Sequence, residues 1–263
     1  MAENGSLSSL LALLAAVLPL ALWGIWHDIE GCWLPFLLLV PVAAFMALNM
    51  LETAVMRRRA LAGMYLRPES FLARLLCRKS FLTAWQLCKA VVLGLLLFLE
   101  APRWPLWLWA VLGLDLLLLG VLDPRARRWL ESQVRGERRD ILARWLLLSV
   151  NTVLLVLVLA VAQLFTPRMD YTGLGWEDAA LQAAETVVMP CDLLAPVVRL
   201  GAMRDALAEW LIQHLPLGGW LSLSAWLLYF VWSGLVFWAW SRLILGALGA
   251  PGTLKYVKEG RCD

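Results

Sequence analysis

Residues 81–122 read FLTAWQLCKAVVLGLLLFLEAPRWPLWLWAVLGLDLLLLGVL, two apolar runs joined by the turn EAPR. At ~1.5 Å of rise per residue, each run is long enough to carry a helix across ~30 Å of hydrocarbon. The turn is so short that the two helices must be antiparallel. Lys89 lies about two turns into the first helix and Asp115 about two turns before the end of the second. Both therefore fall ~10 Å from the same membrane face. A lone charge at such depth costs at least ~2.5 kcal/mol, and two opposite charges facing each other are the least costly arrangement. A Lys89–Asp115 pair is expected, at the depth reached by Asn151 and Thr152 about two turns into the fifth span.

Working outward from this stretch, composition sets the class. Hydrophobic residues make up 62% of the 263 positions and charged residues 16%, against roughly 45–50% and ~25% in soluble domains. Six segments are apolar over a membrane-crossing length: 7–26, 32–51, 81–99, 104–122, 145–165 and 220–245. They lack the alternation of barrel strands, so helices are the only structure that satisfies their backbone in lipid. The expected fold is all-α, a polytopic integral membrane protein forming one transmembrane domain over residues 1–263.

The basic residues are distributed unevenly. Residues 51–81 carry seven, among them Arg57, Arg58, Arg59, Arg74 and Arg78. Residues 122–144 carry seven more, including Arg125, Arg127 and Arg128, and the tail after Trp240 adds four. Apart from Lys89, the opposite side holds only Arg103, Arg168, Arg199 and Arg204. The positive-inside bias then places the basic loops 52–80 and 123–144 and both termini in the cytosol, and the loop 166–219 outside. A bacterial inner membrane or its equivalent is the expected location. The connection 52–80 reads as an amphipathic basic helix and 123–144 suits an exposed helix or a partner contact, and the arginines named in them are expected to contact lipid headgroups or a soluble protein partner. Membrane lipids, and either a cytosolic protein partner or further copies of this chain, are the expected associates, with no nucleic acid.

The outer loop reads as two short amphipathic helices, 176–189 and 203–214, separated by Pro190 and Pro196. Trp23, Trp26, Trp33, Trp104, Trp107 and Trp220 fall near the outer interface, and Trp85, Trp129, Trp145, Trp238 and Trp240 near the inner one, as an aromatic belt. Pro19, Pro35 and Pro41 are expected to kink the first two spans. Ala43 with Ala47, and Ala90 with Gly94, have the spacing that lets helices approach closely.

Few motifs carry chemistry. Cys32 and Cys191 both fall on the outer side, where an oxidising compartment would let them form a disulfide. HExxH, GxSxG and Walker signatures are missing, no histidine or carboxylate spacing is diagnostic of a metal, and no cofactor is expected. The leading functional expectation is a membrane-embedded component of a transport or translocation system, whose path passes Lys89, Asp115 and Asn151. At the level of topology, six spans with short helices before the last one are similar to permease subunits of the ABC-2 exporter class. A non-transporting scaffold that anchors a cytosolic partner is the second expectation. A lipid-modifying enzyme using Glu52 or Asp123 is the third.

Overall fold

The computed structural model describes residues 3–25, 32–65, 79–133, 138–165, 169–189, 191–214 and 219–259. Among them there are helices and no strands. In chain order these are α1 (Glu3–Ile25), α2 (Trp33–Tyr65), α3 (Lys79–Glu100), a 3₁₀ turn (Ala101–Arg103) and α4 (Leu106–Glu131). They are followed by α5 (Arg138–Phe165), α6 (Trp176–Glu185), α7 (Ala195–His214) and α8 (Trp220–Glu259). Among the described residues, five helices are long and apolar enough to cross a membrane: Trp33–Val55, Leu82–Arg103, Leu106–Glu131, Leu142–Gln163 and Leu223–Gly249. The first helix contributes a shorter apolar stretch, Leu11–Ile25. Leucines and valines line the outer sides of these helices, among them Leu37, Leu114, Leu157 and Leu228. Such a coat suits hydrocarbon, because a lipid-facing side chain needs no polar group.

The last span is the hub. From Ser233 to Gly249 it is buried on nearly every side, and α1, α2, α3, α4, α5 and α7 all pack on it. Its core residues Val236, Phe237, Trp240, Leu243, Ile244 and Ala247 join one cluster with Leu20, Met46, Leu97, Leu112 and Leu155. A helix apolar all round its circumference can be buried on all sides. α2 also packs along α3, where Gly94 stands against Leu39, Val42 and Ala43. The hairpin expected from residues 81–122 is not a packed unit. α3 lies on α2 and α8, α4 lies on α5 and α8, and the two have little direct contact.

The arginine-rich connections, expected to be helical in part, are mostly helix over their described residues. α2 runs on to Tyr65, α4 to Glu131, and α5 already begins at Arg138. The reason is local: Ala, Leu, Met, Arg and Glu are strong helix formers, so the helix outlasts its apolar stretch. Arg57, Arg58 and Arg59 lie on the continuing α2, and Arg125, Arg127 and Arg128 on the continuing α4. Arg74 and Arg78 lie outside the described residues.

Between α5 and α8 the chain forms a cap of α6 and α7 packed on each other. α6 starts at the N-cap Gly175, with Glu177 and Asp178 in its first turn, where the positive end of the helix dipole favours acids. α7 begins eight residues earlier than expected from the sequence, because Pro196 sits in its first turn, where a missing N–H costs no hydrogen bond. Pro35 likewise falls in the first turn of α2 and is no kink site, whereas Pro19 and Pro41 are internal. A disulfide joins Cys32, just before α2, to Cys191, just before α7, with Cα atoms 4.9 Å apart. We call this the cap end of the bundle, and the end carrying the arginine-rich helix extensions the basic end.

Candidate functional site

Buried polar groups occur at three levels along α8. At the cap end, Glu100 closes α3 and pairs with Arg103 and, at 3.1 Å, with Arg204. It also accepts a hydrogen bond from Trp232 Nε1 at 3.0 Å. Asp205 pairs with Arg204 and, at 2.7 Å, with Arg103. The Arg204 guanidinium stacks 4.3 Å from the Trp232 ring centroid. Burial pushes the Asp205 carboxyl up from its ordinary value, while Arg103 and Arg204 pull the other way. Two acids and two arginines thus cancel in charge. They fasten α7 to the α3–α4 turn and to α8, while the disulfide ties the chain entering α7 to the chain entering α2.

Eight residues further along α8, ~12 Å on, lies the second level. Asp115 on α4 is 3% exposed. Its Oδ2 accepts from Trp240 Nε1 at 2.9 Å and from Asn151 Nδ2 at 3.3 Å. Asn151 Nδ2 also donates to Ser241 Oγ at 2.9 Å, and that hydroxyl donates to the Phe237 carbonyl at 2.9 Å. The second oxygen, Oδ1, is buried without a hydrogen-bond partner among the described residues. Trp104 packs edge-on against Trp240, 6.4 Å between centroids. The group is therefore a carboxyl with one oxygen fixed by two N–H donors and one oxygen uncommitted.

The third level faces the basic end. Arg242 donates to Asn49 Oδ1 at 3.0 Å and stacks 4.8 Å from the Trp238 ring centroid. Arg144 and Glu52 form an ion pair with side-chain exposures of only 11% and 5%. Asp123 pairs with Arg127 at 2.9 Å. The two carboxylates that a lipid-modifying chemistry would call on are thus both held by arginines.

Contrary to expectation, Lys89 does not meet Asp115. It is exposed on α3, with its ammonium 4.9 Å from the centroid of the Trp85 ring one turn nearer the N-terminus. Helical side chains lean toward the N-terminus, and a four-carbon stem lets an ammonium reach the membrane edge. The short Asp115 side chain has no such escape and turns inward to neutral donors. Of the other residues grouped with it, Asn151 joins Asp115, whereas Thr152 spends its hydroxyl on the Leu148 carbonyl of its own helix, at 2.8 Å.

Trp240 and Ser241 were not singled out by their sequence, and Trp240 was expected in the aromatic belt. It is 1% exposed, and Trp23, also assigned to the belt, is 3% exposed and donates to the Phe98 carbonyl at 2.8 Å. An indole N–H can be buried when it finds an acceptor, and no sequence window shows that acceptor. Trp33, Trp85, Trp129, Trp145 and Trp220 are exposed as a belt requires. The cap-end quartet had a clearer signal, since Arg103 and Arg204 are two of the few basic residues outside the arginine-rich segments and Glu100 precedes Arg103 by three positions.

A single uncommitted carboxyl oxygen can hold a proton, but it cannot replace the six or more oxygens around a hard cation. Among the described residues no three His, Cys, Asp or Glu side chains converge as a metal site. Comparison of the chain with protein-family models, with curated proteins and with solved structures finds no match to any of them.

Proposed function

We propose that this chain is the membrane-embedded component of a transport or translocation system in which Asp115 takes up and releases a proton. The observation that carries the reading is the Asp115 carboxyl, buried between α4, α5 and α8 with one oxygen held by Trp240 and Asn151 and the other free of hydrogen bonds among the described residues. An ionisable group kept inside a membrane bundle without a counter-charge is costly, and such groups mark ion and proton paths. Lys89 leaves the set of path residues. On this reading α1 crosses as a sixth span, since it packs on α8 alongside the others, and the arginine-rich helix ends face the cytosol of a bacterial inner membrane.

The test is reconstitution of the purified chain into liposomes with an entrapped pH dye and an imposed potassium diffusion potential. Wild-type protein should acidify or alkalinise the lumen on the order of 100-fold faster than Asp115→Asn, the low end of the loss typical of removing a positioned proton-transfer group. Equal rates for the two proteins would refute the proposal.

A second reading has its own observation. Arg125 and Arg128 are exposed on the part of α4 that continues past its apolar run, a surface suited to anchoring a soluble acidic partner without transport. Under that reading Asp115→Asn is silent and Arg125→Gln with Arg128→Gln abolishes association.

A further inference from the structure

The first half of α3 stands largely clear of the bundle, and Ala90 is its one buried residue between positions 83 and 92. On this surface three groups with donor hydrogens cluster within five residues: the Trp85 indole N–H, the Gln86 amide and the Lys89 ammonium. None of them meets a hydrogen-bond acceptor or a carboxylate among the described residues, and the only polar contact is that of Lys89 over the Trp85 ring. Hydrocarbon offers no acceptor, so unpaired donors here are costly unless a ligand supplies one.

Their position says which ligand fits. Lys89 lies seven residues past Leu82, where the apolar segment of α3 begins, so its Cα stands ~10 Å from that edge. A lysine stem of ~6 Å directed toward the helix N-terminus brings the ammonium close to the headgroup level. Trp85, 51% exposed, lies one turn nearer the edge, with its N–H free to reach the same level. Three donors and one formal positive charge, with no carboxylate beside them among the described residues, call for an anionic oxygen-rich group. We infer that Lys89, Trp85 and Gln86 form a binding site for the phosphate of an anionic phospholipid, drawn from the leaflet nearest the start of α3. The site is separate from Asp115 and does not depend on its role.

The experiment uses the full chain in nanodiscs of phosphatidylcholine with a minority of phosphatidylglycerol, transferred to mild detergent and weighed by native mass spectrometry. Wild-type protein should retain a phosphatidylglycerol that Lys89→Gln holds about fivefold less. Lys89→Arg should keep it, and Trp85→Phe, which preserves the ring but loses the N–H, should weaken it. Asp115→Asn should bind as wild type. Excess inorganic phosphate should leave the lipid adduct in place. Equal retention by Lys89→Gln, or retention of phosphatidylcholine as strong as that of phosphatidylglycerol, would overturn the inference and leave this face to a protein partner. Displacement by inorganic phosphate would overturn it in favour of a free anion.

Discussion

Gly246→Ala should separate the two helices on which the basic half of the bundle rests. A Cβ at this position would lie 2.2 Å from the Phe45 carbonyl oxygen, 2.9 Å from its carbon and 3.2 Å from Asn49 Cβ. The nearest atoms are backbone, so no rotamer change makes room, and α2 must move from α8 by about 1 Å to restore ordinary contact. Overpacking of this kind costs about 1–3 kcal/mol. The same displacement stretches the 3.0 Å bond from Arg242 to Asn49, worth about 1.5–3 kcal/mol as a hydrogen bond to a charged donor. Alanine returns up to ~1 kcal/mol through helix propensity. The net loss is about 2–5 kcal/mol, or roughly 5–15 °C in melting temperature at this chain length. Thermal unfolding in detergent, followed by size-exclusion recovery, measures it. Gly113→Ala and Gly120→Ala are the controls, because a Cβ at either position meets nothing within 4 Å. Those two variants should melt at or slightly above wild type. Should Gly246→Ala melt with them, the close approach of α2 to α8 is not what holds this half together.

Two further outcomes follow from the buried polar levels. Asp115→Leu should cost about 2–5 kcal/mol in the same thermal assay, because Trp240 and Asn151 each lose an acceptor in a dry interior, whereas Asp115→Asn keeps an acceptor oxygen and should stay within about 1 kcal/mol of wild type. Glu52→Gln and Arg144→Gln should each destabilise by about 3–5 kcal/mol, since each strands a buried charge, and the double variant should cost at least ~1 kcal/mol less than their sum. Strict additivity would show that the two side chains do not act as a pair.

Much of the chain could be read from its residues alone. Runs of about twenty apolar positions dictate helices in lipid, whatever their neighbours, because each backbone must satisfy itself. Such runs point to the all-helical class and to six spans, of which five stand among the described residues as helices long and apolar enough to cross a membrane. The two short helices before the last span were legible for a related reason, although Pro196 was taken as a break when it opens α7.

Side-chain partnerships were not legible, because a helix carries no record of which of its faces meets which neighbour. Lys89 and Asp115 share a depth, yet a long stem lets the lysine leave the hydrocarbon alone while the short aspartate needs donors from α5 and α8. Trp240 has the composition of a belt residue and became an interior donor because Asp115 stands opposite it. Local chemistry, summed along the chain, determined the helices and their length; the order in which they surround α8 arises from contacts between residues up to two hundred positions apart, and that order alone decided which charges are paired, which are buried and which are left facing lipid.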